Sequence, residues 1–358
     1  MVIFGPRQAG KTTLVKDFLK HTNYKFKLDS GDNSRTRNLL MSQDFETLKN
    51  YIESYELLVI DEAQRIPDIG QILKIFVDEH PNLRIIVTGS SSFELAGQVG
   101  EPLTGRKRTM TLFPVSILEL SSHFNKFELK EKLEVLIYGM YPAVISNPIV
   151  TEKKRILDEI VSSYLFKDIL ELDKIKNSRA LEDLLQLLAY QIGSEVSHSE
   201  LATQLKIDAK TVGRYLDLLE KSFVIKPLKG FSRNLRKEIT KKNKYYYMDI
   251  GDRNSMIRNL NPLQYRNDVG QLFENFFFIE RVKTRSYKEI YANNYFWRTW
   301  DKKEIDFLEE RDGKLFGFEC IWNPDKKMKA PKEWMENYPD SEFQIINRSN
   351  FIDWLIPA

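Results

Sequence analysis

Gly5-Pro-Arg-Gln-Ala-Gly-Lys11-Thr12 sets two glycines, a lysine and a hydroxyl residue at the spacing G-x-x-x-x-G-K-[ST]. Those residue types in that order suit one task, the cradling of a polyphosphate. Gly5 and Gly10 let the backbone curl round an anion without a Cβ clash, and Pro6, Arg7, Gln8 and Ala9 fill the turn between them. Lys11 is expected to neutralise the terminal phosphates and Thr12 to ligate Mg²⁺ through its hydroxyl, with Thr13 closing the stretch. The expected ligands are a nucleoside triphosphate and Mg²⁺. A second acidic element follows in Leu57-Leu-Val-Ile-Asp61-Glu62, an apolar run ending in two carboxylates. At the carboxyl end of a parallel strand, where ligands bind, Asp61 would hold the metal and Glu62 would orient and polarise a water. The plainer alternative is that Asp61 and Glu62 only open a helix. Arg106, in Leu-Thr-Gly-Arg106-Lys-Arg, could supply transition-state charge in cis or across a subunit interface; a solvated basic turn is its competitor.

These residues need a frame that brings them together. Val2-Ile-Phe4, Leu57-Leu-Val-Ile60 and Leu83-Arg-Ile-Ile-Val-Thr88 alternate with helical patterns, which predicts a parallel sheet covered on both faces. From about Phe113 to Gln191 the apolar period turns helical (Ile156, Ile160, Tyr164; Leu181, Leu184, Leu185, Leu188), so a helical appendage is expected there. A third region opens near Asp268 with a Phe-rich helix (Leu272, Phe273, Phe276, Phe277), followed by strands at Tyr295–Arg298, Glu304–Leu308 and Leu315–Ile321.

Five segments taken together resemble a family: Gly5-Pro-Arg-Gln-Ala-Gly-Lys-Thr-Thr13, Leu-Val-Ile-Asp-Glu-Ala-Gln64, Thr88-Gly-Ser-Ser91, Leu-Thr-Gly-Arg106 and Gly139-Met-Tyr-Pro142. They are similar to the prokaryotic AAA-type P-loop ATPases that carry a C-terminal DUF4143 region. The resemblance implies an ATP-hydrolysing core, then a winged-helix module, then a C-terminal domain related to restriction-endonuclease folds. It also makes Thr88 and Ser90, at the tip of a strand beside Asp61-Glu62, the candidates for sensing the γ-phosphate; Ser91 and Ser92 could equally cap a helix Phe93–Ala96. A longer lead-in than the four residues before Gly5 is implied too, a segment expected to contribute to the adenine pocket.

The expected architecture is therefore α/β: a P-loop core over 1–112, a helical lid over 113–178, a winged helix over 179–258 and an α+β nuclease-like domain over 259–358. At 358 residues, two or three domains are expected from length alone. Net charge is +3, yet Gln204 to Lys244 carries twelve Lys/Arg against four Asp/Glu, a local +8 that leaves −5 elsewhere. Such a block points to an anionic partner, although a solvated face would look the same. Within it, Ser197–Leu205 and Ala209–Lys221 read as helix, turn, helix. Val212, Leu216 and Leu219 form the buried stripe, leaving Lys210, Thr211, Arg214 and Lys221 to reach phosphates or base edges. Wing strands are expected at Phe223–Ile225 and Tyr245–Met248, joined by a basic loop with Arg233, Arg236, Lys237, Lys241, Lys242 and Lys244 placed to clamp phosphates. Double-stranded DNA is the expected partner; protein docking is the alternative, and a homo-oligomer remains open.

Glu274, Asp306 and Glu319 follow the helix, strand, strand order of restriction-endonuclease-like metal sites. Ile321 stands where that pattern has its lysine, so the site reads as degenerate, with Lys303 or Lys326 the possible substitutes. Trp297, Trp300 and Trp322 read as core or rim aromatics. A single cysteine, Cys320, rules out an internal disulfide, and four scattered histidines give no zinc spacing. No 18-residue apolar run and no secretion signal is present, so a cytoplasmic protein without a membrane partner is expected.

Overall fold

The computed structural model describes residues 1–42, 44–90, 103, 105–165, 177–232, 242–299, 301 and 303–356, with backbone only for 163–165. Two compact units emerge, one formed by Met1–Pro114 with Lys221–Phe223, the other by Val115–Glu220 with Val224–Ala358.

The first unit is built on five strands: β1 (Val2–Phe4), β2 (Phe26–Ser30), β3 (Leu57–Asp61), β4 (Arg84–Gly89) and β5 (Thr109–Thr111). They lie in the order β2-β3-β4-β1-β5 with every pair parallel. A parallel sheet needs both faces covered, and the alternation along β3 shows how. Leu58 and Ile60 face a cluster with Leu40, Leu48, Ile52, Ile72 and Phe76 from the helices α2 (Ser34–Met41), α3 (Phe45–Ile52) and α4 (Ile69–Glu79). Leu57 and Val59 face the other side, against Val15 and Leu19 of α1 (Lys11–His21). All four β3 side chains are at most 1% exposed, so each contributes about 1.5–3 kcal/mol and the strand is fixed at the centre of its layer. The carboxyl ends of β1, β3 and β4 consequently converge.

The second unit begins with short helices, among them Ile117–Leu120, Val135–Tyr138 and Val150–Glu159, and continues with Ser178–Tyr190, so the helical stretch expected from periodicity is present. β6 (Glu195–Val196), the helices His198–Leu205 and Ala209–Lys221, β7 (Ile225–Gly230) and β8 (Asn243–Tyr247) follow. β7 and β8 pair antiparallel with Ile225 opposite Tyr247, and β6 pairs with the other side of β8. The hairpin begins later than the sequence suggested and runs through Pro227. The pairing of β7 with β9 starts only at Lys229, so the proline ring meets no ladder on that side.

A long helix, Val269–Tyr287, precedes β9 (Asn293–Arg298), β10 (Glu304–Arg311), β11 (Lys314–Cys320), a short helix Lys332–Asn337 and β12 (Glu342–Ile346). β7 joins β9 in parallel, which merges everything from β6 onward into one seven-stranded sheet, β12-β11-β10-β9-β7-β8-β6. The long helix is buried on most of its circumference, including Glu280, Arg281, Lys283 and Arg285. Charge at such depth needs partners. Arg281 forks onto both oxygens of Glu309 at 2.7 and 2.6 Å, and Lys283 meets Glu280 at 2.7 Å.

Candidate functional site

β1 is followed by Gly5, whose φ of +152° and position leave no room for a side chain: a Cβ there would lie 2.0 Å from the Leu112 carbonyl oxygen. Gln8 (φ 59°) and Gly10 (φ 99°) complete the curl, and α1 starts directly at Lys11. The loop thus forms a ring of backbone ahead of a helix N-terminus, which is an anion cradle. The Lys11 ammonium is 4% exposed and donates to the carbonyl oxygens of Gly5 and Pro6, each at 2.8 Å, so it is held at the loop's centre.

The Thr12 hydroxyl donates to Asp61 Oδ2 at 2.8 Å, which ties the first turn of α1 to the end of β3. Between β3 and β1 stands β4, and Thr88 uses that position. Its buried hydroxyl donates to Asp61 Oδ1 and accepts from the Glu62 backbone N–H at 3.2 Å. Thr88 therefore fixes the acidic pair. Glu62 takes a left-handed conformation (φ 50°, ψ 44°) that turns the chain sharply off the strand. Its carboxylate accepts from the Gln64 amide at 2.6 Å, and the same amide donates to Ser90 Oγ at 2.9 Å. Thr12, Asp61, Glu62, Thr88 and Ser90 are thus one connected polar chain, and Gln64 is a member that sequence reasoning missed. Only its place two residues after Glu62 could have signalled it. Ser91 and Ser92 lie outside the described residues. Arg106 is half-exposed and ion-paired with Asp78 of α4.

A ring of backbone round a lysine, with hydroxyl and carboxylate oxygens beside it on a parallel sheet, defines a P-loop nucleotide-binding unit. Residues 1–121 match the family model of an AAA domain, residues 130–263 a domain of unknown function, DUF8612, and residues 269–352 another, DUF4143. The chain thus joins an N-terminal segment similar to AAA domains to a C-terminal segment similar to DUF4143. It is 27% identical over 327 residues to an uncharacterized protein of Mycobacterium tuberculosis, covering 89% of this chain and 69% of that one. With an uncharacterized protein of Methanocaldococcus jannaschii the identity is 26% over 368 residues, covering 97% and 80%. One of Haemophilus influenzae is 27% identical over 339 residues, covering 88% and 80%. Among solved structures, a DNA replication initiation factor overlaps with a TM-score of 0.24 at 18% identity (61% of this chain, 81% of that one). Domain III of the Thermotoga maritima replication initiation protein DnaA gives 0.25 at 14% (57% and 82%). Those two overlaps are too loose to carry a functional argument.

In the second unit, Val212, Leu216 and Leu219 are buried as expected, together with Tyr215 and Leu218. Lys210 and Arg214 are exposed on the same helix, and Lys221 is its last residue and partly exposed. Thr211 has a different employment: its backbone N–H and hydroxyl both bond the Asp208 carboxylate, at 2.8 and 2.6 Å, as a helix start. Lys242 is exposed, whereas Arg233, Arg236, Lys237 and Lys241 lie outside the described residues. Lys244 is no part of a solvent-facing basic loop. It belongs to β8 and is 1% exposed.

Glu274, Asp306 and Glu319 do come together, and Lys244 stands against the first two. Its ammonium lies 3.4 Å from Glu274 Oε1 and 4.0 Å from Asp306 Oδ1, and contacts Glu304. Tyr246, two residues along β8 and on the same face, donates to Glu274 Oε1 at 2.5 Å. Burial and the neighbouring carboxylates push Asp306 well above the usual aspartate range, and push Glu319 up to about 7. Of the lysines expected to replace the one missing at Ile321, Lys303 pairs with Glu333 at 2.7 Å and Lys326 is exposed. Trp297 is a core residue and Trp322 stacks edge-on with Phe273; Trp300 lies outside the described residues. Among the described residues, no helix is long and apolar enough to cross a membrane.

Proposed function

We propose that this chain is a Mg²⁺-dependent ATPase whose nucleotide unit works together with a winged helix that docks on duplex DNA. The observation that carries the reading is the link from Thr12 to Asp61 at 2.8 Å across the mouth of the phosphate loop. A hydroxyl and a carboxylate are hard oxygen donors, the set Mg²⁺ takes when substrate phosphates and water complete its shell. Mg²⁺ held there would supply Lewis-acid charge to the phosphates. Lys11, on accepting ATP, exchanges two carbonyl partners for phosphate oxygens, while the Gly5–Gly10 backbone orients the chain of phosphates. Glu62 is the residue to orient and deprotonate the attacking water, and the Gln64 amide holds its carboxylate until substrate arrives. Arg106 contributes transition-state charge only after leaving Asp78.

Support for the DNA side is the element order from β6 to β8, strand, two helices and a hairpin, which is a winged-helix order. Lys210, Arg214 and Lys221 lie on its second helix, and Lys242, Arg233, Arg236 and Lys241 lie in or next to the segment joining the hairpin strands. We divide the chain at 112, 178 and 258 on this reading, with the last segment resembling a restriction-endonuclease fold in its helix, three strands, helix, strand order. Glu62→Gln tests the enzymatic half. The variant is expected to bind ATP as tightly as the wild type and to release phosphate about 10²–10⁴ times more slowly. Unchanged phosphate release would remove Glu62 from the mechanism.

A further inference from the structure

In the second unit, strands β8 and β10 and the long helix converge on four carboxylates and one ammonium. Side-chain alternation puts Lys244 and Tyr246 on one face of β8, and Glu304 and Asp306 on one face of β10. Glu274 comes from the long helix and Glu319 from β11. Asp306 is further held by the Cys320 backbone N–H at 2.9 Å, and Arg298 lies 3.7 Å from Glu304 at the rim.

The helix, strand, strand placement of Glu274, Asp306 and Glu319 is that of a metal-dependent phosphodiesterase, and such a metal must touch the carboxylate oxygens directly. The donor set does not fit one here. The space among these oxygens belongs to the Lys244 ammonium, which would stand within a few ångströms of any divalent ion they shared, and like charges at that range in a buried site are strongly disfavoured. Among the described residues, no group of three or more His, Cys, Asp or Glu is arranged to hold a metal. Nor is Lys244 placed as a catalytic lysine. A catalytic lysine must face its substrate, whereas Lys244 is 1% exposed and its ammonium is surrounded by Glu274, Glu304 and Asp306.

We propose that Lys244 is the permanent cation of this cluster, and that the carboxylates of a nuclease-like site serve here as a clasp tying β8 to the long helix and β10. Removing the ammonium leaves buried carboxylates without their counter-charge, which ranks among the most destabilising single changes. It also opens a hole that a divalent ion could fill.

The test uses the full chain without nucleotide, melted in EDTA and in Mn²⁺, with Mn²⁺ binding followed by electron paramagnetic resonance. The wild type is expected to melt at the same temperature in both buffers. Lys244→Met is expected to melt lower by about 5–10 °C in EDTA and to recover much of that loss in Mn²⁺. Lys244→Met combined with Asp306→Asn is expected not to recover. Mn²⁺ bound by the wild type and lost in Asp306→Asn alone would overturn the proposal in favour of a metal centre. So would a Lys244→Met protein that melts like the wild type. The comparison of wild type with Asp306→Asn decides the matter even if Lys244→Met fails to accumulate.

Discussion

Replacing Thr88 by valine removes one hydroxyl from a fully buried site and keeps a side chain of nearly the same shape. Two bonds are lost. The donation to the Asp61 carboxylate is a hydrogen bond to a charged group, worth about 1.5–3 kcal/mol, and the Glu62 N–H left without its acceptor costs about 1–3 kcal/mol more. Because the two share one atom they do not simply add, and about 3 kcal/mol is the expected loss. In a unit of this size that lowers its melting temperature by about 10 °C. Both bonds also aim the acidic pair, so the KM for Mg·ATP is expected to rise with the fall in stability. Calorimetry resolves the transition of the first unit, hydrogen exchange reads the Glu62 amide directly, and phosphate release gives KM. Thr88→Ser, which keeps the hydroxyl, is expected to stay near the wild type in all three. A valine variant with wild-type melting, wild-type Glu62 exchange and unchanged KM would refute the assignment of Thr88 as the residue that positions Asp61 and Glu62.

In the second unit, Lys210→Ala with Arg214→Ala is expected to weaken duplex binding and to reduce the slope of log affinity against log salt by about 0.9 for each phosphate no longer neutralised, read by fluorescence anisotropy; an unchanged slope would move this helix to protein docking. Glu319 titrates near 7 in the folded chain against about 4.5 when unfolded, so the native state holds the extra proton. Stability is therefore expected to fall as pH rises from about 4.5 to 7, by up to about 3 kcal/mol from this group. Asp306 acts in the same direction, and Glu274, Glu304 and Lys244 are the charges facing Glu319. Denaturant melts of Glu319→Gln are expected to show a flatter pH profile, and an identical profile would contradict the assignment.

The phosphate loop was legible because its chemistry is contiguous. Gly5 to Thr12 carries the backbone freedom, the charge and the hydroxyl in eight residues, and Asp61-Glu62 announces itself at the end of a strand with no polar residue before it. The stripe of Val212, Leu216 and Leu219 was legible for the same local reason, helical period. What escaped depends on strand order and long separation. The two bonds from Thr88 to Asp61 and to the Glu62 amide join residues 26 and 27 positions apart and appear only once β4 is set beside β3. Lys244 sits in a basic run, Lys-Lys-Asn-Lys, and reads as solvent-facing. Its true partners come 30 to 62 residues later in the chain, from a helix and from a strand three places away in the sheet. Pro227 and Gly230 hid β7 because a strand with one short ladder tolerates them.

Phosphate release from ATP and Mg²⁺ by the full chain beside its Lys11→Ala variant, with and without duplex DNA, decides whether this is an ATPase coupled to DNA. Turnover that is lost in Lys11→Ala and rises with DNA is the predicted result. Turnover indifferent to Lys11, or no turnover in either protein, would contradict an ATPase built on Lys11, Thr12, Asp61 and Glu62.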